Sequence, residues 1–239
     1  MHPLRREAVT GSRWRAYIPP SKRDSEDLTR RWNISSCLLP VCDYLADMVA
    51  HSGRAELPWE RSSLLAYCGL NRIVHPNPYL LSLGMSSQLE GVGSWTSQLE
   101  LETAEDIGRP THPHVTMLMQ HDCNGREDTI LYGELASLVS AMHARANQFM
   151  VEKEEMERVF DMGIGAYSDK PRIFSRETRF PVLQISFLGP QHARVLYACM
   201  DRGHIVIRQS KLYSFERDDE APLDLFIRIL ASKPLPKQL

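Results

Sequence analysis

The clearest alternation of apolar and polar positions runs from Phe180 to Leu230. Leu183, Ile185 and Phe187 alternate with Gln184 and Ser186, the period-two pattern of a strand with one dry face and one wet face. That run stops at Gly189-Pro190. A second run, Arg194 to Met200, is apolar on both faces from Val195 to Met200, as suits a central strand. Asp201-Arg202-Gly203 supplies turn chemistry, and in a third strand Ile205 and Ile207 alternate with Val206 and Arg208. A closing helix gathers acids and Pro222 at its start and places Leu223, Phe226, Ile227 and Leu230 on one face.

Upstream, residues 129–155 predict the longest helix. Leu135, Leu138, Val139, Met142, Ala146 and Phe149 recur at helical spacing, and Ser137, Ser140, Arg145 and Gln148 take the other side. Its charged end, Glu152-Lys153-Glu154-Glu155, reads as a solvated continuation. His114 to Gln120 reads as a strand, and Ser94-Trp95-Thr96 and Gln98 to Glu102 as two short ones. Helices are expected at 38–51, with Ser35 and Ser36 as N-cap oxygens and Pro40 in the first turn, and at 58–68, with Pro58 at the start and Gly69 as the stop. His75-Pro76-Asn77-Pro78 is a loop, and 159–179 an irregular connection holding one strand. The chain thus divides into a flexible basic arm over 1–31, a helical elaboration or subdomain over 32–108, and an α/β core over 109–239.

Composition narrows the partners. A net charge of −2 argues against a whole-protein electrostatic grip on nucleic acid, although the arm has seven arginines against four acids. No apolar run is long enough to cross a membrane, which leaves no membrane partner, and no apolar leader opens the chain. Five cysteines without C-x-x-C spacing read as reduced thiols of an intracellular protein, cytoplasmic or nuclear.

Arg179-Phe180, Gly189, Arg194, Asp201-Arg202-Gly203, Ser210 and Leu225-Phe226-Ile227-Arg228 follow one another in an order and spacing of their own. This pattern resembles the segment upstream of the kinase domain in fungal-specific protein-kinase-like proteins, a divergent restriction-endonuclease-like domain of the PD-(D/E)xK class. The resemblance covers residues 115–232. It implies an α+β fold with a mixed sheet flanked by helices, here carrying the N-terminal helical elaboration. Kinase activity is not implied: the chain has no H-R-D and no D-F-G, and Gly163-Ile164-Gly165 lacks the rest of a glycine-rich phosphate loop.

Nucleases of that class hold Mg²⁺ between an Asp and a Glu on neighbouring strands, with a Lys two residues on to position the attacking water. The nearest strand match is Gln209-Ser210-Lys211. Asp201 stands at the hairpin turn, about 26 Å from Gln209 along an extended strand, so the two do not share an ion. Residues facing Gln209 to Lys211 are expected around Gln191 to Val195, giving a site whose carboxylates have become the amides of Gln191 and Gln209. In a second frame the catalytic strands precede the long helix. Asp106 and the strand His114 to Gln120 would then hold the motif, but Met117-Leu118-Met119 supplies neither acid nor lysine. Both frames stay open, and neither completes a triad.

Other constellations carry less. His112, His114, His121, Asp122 and Cys123 form the densest ligand cluster, but on one strand His121 points away from His112 and His114. Glu134 suits either a catalytic carboxylate or a first-turn acid favoured by the helix dipole. Arg194, Arg208 and Lys211 form a basic strip across the hairpin, for phosphate, for an acidic partner or simply for solvent. The expected function is a non-catalytic protein-interaction or regulatory module on a degenerate nuclease-like fold, without a cofactor, binding through Gln191, Arg194, Gln209 and Lys211. The alternative is a Mg²⁺-dependent nuclease with relocated carboxylates, using Glu134 or Asp122 with Lys211. Nucleic-acid binding through the basic arm is a third reading.

Overall fold

The alternating runs assemble into one eight-stranded sheet in the computed structural model, which describes residues 34–51, 63–73, 86–106, 109–151, 155 and 169–234. The elements in chain order are α1 (Ile34–His51), α2 (Leu64–Cys68), β1 (Asn71–Arg72), β2 (Ser86–Leu89), β3 (Gly93–Glu102), β4 (Ala104–Asp106), β5 (Arg109–Pro110), β6 (Val115–Asn124), α3 (Tyr132–Ala146), β7 (Val182–Gly189), β8 (His192–Asp201), β9 (His204–Gln209), β10 (Tyr213–Ser214) and α4 (Leu223–Leu230). Four strands form the body in the order β3-β6-β7-β8. The outer edge of β3 is shared by β2 and β1, and that of β8 by β9 and β10. β6 and β7 run parallel, with α3 in the crossover between them, while the other pairs in this sheet are antiparallel. The protein is α+β with a mixed, open sheet. Among the described residues no helix is long and apolar enough to cross a membrane.

Strand alternation gives the sheet two buried faces. Leu99, Leu101, Leu118, Ile185, Phe187 and Ala193 meet α1, α2 and α4 through Leu38, Val41, Leu45, Val49, Leu65, Phe226 and Leu230. Edge-to-face rings reinforce that layer: the Phe215 centroid lies 5.0 Å from both Phe187 and Phe226. On the other face Val115, Met117, Met119, Val182, Leu196 and Ala198 pack against Leu138, Ala141 and Met142 of α3.

Several elements differ from the sequence expectation. The two short strands at 94–96 and 98–102 are one strand, β3, with an irregularity between Ser97 and Leu99 where the period-two pattern slips. Residues 86–102 therefore join the same sheet as the core, and 32–108 is not helical alone. α1 begins at Ile34, so Ser35, Ser36 and Pro40 lie inside it. Gly69 does end its helix, in the left-handed conformation at φ 60°, and Ser63 caps the start by accepting from Ala66 N at 3.1 Å. α3 stops at Ala146, beyond which Phe149 bridges to Arg172. The arm at 1–31, the segment containing Pro58, the 75–78 loop and the charges at 152–154 lie outside the described residues.

The largest difference concerns which side of α3 is dry. Leu135 and Val139, expected inside, are each 38% exposed, whereas Ser137 and Arg145, expected outside, are fully buried. The expected wet face of β7 is also dry, since Gln184 and Ser186 are fully buried beneath the helix. The two departures share a cause: helix and sheet each present polar groups to the other and pair them across the interface.

Candidate functional site

The start of α3 is built around a carboxylate. Glu134 is the third residue of the helix, where an acid can reach back to an unpaired N-terminal amide, and its Oε2 accepts from Leu131 N at 2.8 Å. The rest of the carboxylate turns down into the sheet. Oε1 accepts from Ser186 Oγ of β7 at 2.6 Å and from Arg194 Nε of β8 at 2.8 Å, and Oε2 also accepts from Arg194 Nη2. The pair is bidentate, and neither side chain has any solvent exposure. Arg194 Nη1 donates to Arg126 O at 3.0 Å, tying down the loop that leads into the helix. One turn on, Ser137 Oγ donates to Gln184 Oε1 of β7 at 2.9 Å.

His121, near the end of β6, completes this centre and is 1% exposed. Burial pushes its pKa down to about 4; Glu134 opposes that shift and Arg194 reinforces it. Its Nε2 has no hydrogen-bond partner among the described residues. The helix approaches His121 and Trp95 through Gly133. A Cβ at that position would lie 2.8 Å from the Trp95 ring and 2.9 Å from His121 Nδ1. Gly133→Ala is accordingly expected to destabilise the fold by about 1–3 kcal/mol through overpacking, read as a lowered denaturant midpoint.

The other end of α3 has the inverse arrangement. Arg145, in the last turn, pairs with Glu102 of β3 at 2.7 Å, with side chains 0% and 3% exposed. It donates to Gln148 Oε1 at 2.8 Å and lies 5.3 Å from the Phe174 ring centroid. His114 packs nearby, 7% exposed, with neither ring nitrogen hydrogen-bonded among the described residues. Burial first, then Arg145 and His112, push its pKa down to about 4. An acid at the N-terminus and a cation at the C-terminus both suit the helix dipole, and each is also an anchor to the sheet.

The residues singled out from sequence do not converge. Glu134 meets Arg194, not Lys211. Lys211 is exposed, with Nζ 5.2 Å from the Tyr213 ring centroid. Asp122 is exposed and accepts from Ser94 Oγ at 3.5 Å. Gln191 is fully buried, and its Nε2 donates to Cys37 O of α1 at 3.2 Å. Gln209 is exposed and donates to Glu127 O. Gln209 opposes Leu196, whereas Gln191 O accepts from Phe215 N, so the two amides do not share a cleft. Arg194 is withdrawn from the expected basic strip by its burial against Glu134.

In the second frame, Met117 and Met119 face α3 and Leu118 faces the α1 layer, while Asp106 lies in β4, which among the described residues pairs with β5 alone. His112 Nδ1 meets the hydroxyls of Thr103 and Thr111 at 3.0 and 2.9 Å. His121 is at the opposite end of β6 from His114, about 20 Å away along the strand. Among the described residues no three His, Cys, Asp or Glu side chains are placed to hold a metal. The Cys123 thiol is pushed up by burial, then by Glu134 and Asp122, the reverse of what an activated thiolate needs.

Sequence reasoning missed Glu102, Arg145, His121, Gln184 and Ser186 as members of buried polar centres. The available signal was in β7, where Gln184 and Ser186 interrupt a run too central in the sheet to have a wet face. Comparison of the chain with protein-family models, with curated proteins and with solved structures finds no match in any of the three.

Proposed function

We propose that this chain is a non-catalytic protein-interaction or regulatory module, built on a degenerate restriction-endonuclease-like fold. The observation that carries the reading is the state of Glu134. Its carboxylate accepts four hydrogen bonds, two at each oxygen, from Leu131, Ser186 and Arg194. A carboxylate has about four lone-pair sites, so none remains for a cation or an attacking water. The position where a nuclease-like helix would offer a metal ligand instead holds a structural ion pair. Gln191 and Gln209 do not replace it, because one is inside the protein and the other is on its surface. The residues therefore do not fit a Mg²⁺ centre of the nuclease type. The mixed sheet with α3 crossing from β6 to β7, followed by the β7–β8 hairpin, is the part of the architecture that supports the nuclease-like ancestry.

The test is cleavage of mixed single- and double-stranded DNA and RNA in Mn²⁺ at high protein concentration. No cleavage is expected. Metal-dependent cleavage by the wild type that disappears in Lys211→Ala or Asp122→Asn would overturn the reading in favour of relocated catalytic groups.

A further inference from the structure

We propose that β9 is the docking edge for an extended, acidic segment of a protein partner, which adds to the sheet as a further strand beside it. This deepens the interaction-module reading and rests on it. β9 pairs with β8 on one side and has no neighbour on the other among the described residues. The Ser210 N to Val195 O bond of 2.9 Å sets the phase of the ladder. Counting back in register, Arg208, Val206 and His204 direct their backbone groups at β8. Ile205, Ile207 and Gln209 therefore turn their N–H and C=O groups outward.

A free edge of this kind is normally blunted by lysine, proline, a bulge or short length. β9 has no proline or lysine, its register with β8 is unbroken over six residues, and its sequence is His-Ile-Val-Ile-Arg-Gln. Ile205 and Val206, on opposite faces of the strand, are 42% and 36% exposed, and Tyr197 of β8, 37% exposed, lies on the Val206 face. β-branched residues on an open edge fit a β-branched partner strand, which would gain backbone hydrogen bonds and cross-strand contacts together.

Charge selects the partner. Arg202 at the hairpin turn, Arg208 on the strand and Lys211 just beyond it are all exposed. Two neighbouring acids are already engaged: Asp201 accepts from Arg179 at 2.8 Å, and the Glu127 carboxylate accepts from Leu212 N at 3.0 and 3.1 Å. The edge is thus cationic with an apolar centre. A strand that alternates valine or isoleucine with aspartate or glutamate complements both features.

The probe is a labelled peptide of roughly ten residues alternating valine with aspartate and glutamate, beside a counter-probe carrying lysines in place of the acids. Binding is followed by fluorescence anisotropy on the full chain. Ile205→Pro removes an outward N–H and leaves the ladder to β8 intact, so the fold is retained. Arg208→Glu changes only an exposed charge. The acidic peptide is expected to bind the wild type and to weaken about tenfold or more in each variant, and Arg208→Glu is expected to favour the lysine peptide. Equal affinity for the two peptides, insensitivity to both variants, or no binding at about millimolar peptide would overturn the proposal. So would a concentration-dependent dimer abolished by Ile205→Pro, which would make a second copy the occupant. Displacement of the peptide by a single-stranded oligonucleotide would reassign the edge to nucleic acid. Peptide binding is measured without turnover, so its failure is distinct from a positive result in the cleavage assay.

Discussion

Arg194→Met is expected to destabilise the protein by about 3–5 kcal/mol, because it leaves the Glu134 carboxylate buried without its counter-charge. Ser186 Oγ and Leu131 N still donate to that carboxylate, but two neutral donors do not replace a guanidinium in a site without solvent. Glu134→Leu alone strands the arginine in the same way. The double variant Arg194→Met with Glu134→Leu is expected to recover at least half of the loss. It removes both desolvation costs at once, and apolar replacement of a whole buried pair is often close to neutral. Urea unfolding of the four proteins closes a double-mutant cycle. A single-variant loss below about 1 kcal/mol, or strict additivity, would mean that the pair does not hold α3 to the sheet. Lys211→Ala, by contrast, is expected to stay within about 0.5 kcal/mol, since that side chain is exposed.

Stability is expected to fall as the pH drops from 6.5 toward 4. His114 and His121 are both buried, and burial pushes each pKa from 6.5 down to about 4. Above pH 6.5 both rings are neutral in the folded and unfolded chains, and the full contribution is present. Between 6.5 and 4 the unfolded chain takes up a proton on each ring and the folded chain does not. The unfolded state therefore binds more protons in that window, and the free energy of unfolding decreases with falling pH. A depression of this size corresponds to on the order of 3 kcal/mol per ring once the pH is below both values. Denaturant midpoints at several pH values are expected to decline through the window. His114→Gln and His121→Gln are each expected to flatten part of the decline. Profiles that run parallel to the wild type would place the acid sensitivity elsewhere.

Two polar clusters, one at each end of α3, thus dominate both expectations, and both are difficult to see in a linear chain. Periodicity places Leu135, Leu138 and Val139 on one helical stripe, and the apolar stripe is ordinarily the buried one. α3 keeps Leu138 inside but turns Leu135 and Val139 outward, because Glu134, Ser137 and Arg145 find matched partners on Arg194, Ser186, Gln184 and Glu102. Those partners come from three strands distant in sequence, and no local window contains them. Leu135 and Val139 are left on the outer surface beside Tyr132 and Leu89, lining a shallow groove of about 550 Å³.

Local elements were legible in the chain wherever the pattern was strong. The three C-terminal strands, the Asp201-Arg202-Gly203 turn, the closing helix with Phe226, Ile227 and Leu230 buried, and the Gly69 stop all follow from period, turn chemistry and capping. These are short-range properties: they depend on residues within a turn or a strand of one another. The same short range explains the misreading of β3 as two strands, since a slip at one position breaks a period-two pattern without ending the strand. Which polar residues are buried depends on long-range packing, because a charged side chain enters a core only where another element brings it a partner. Glu134 reads as a catalytic acid or a helix-start acid until Arg194 arrives from β8, 60 residues on, and pairs with its carboxylate.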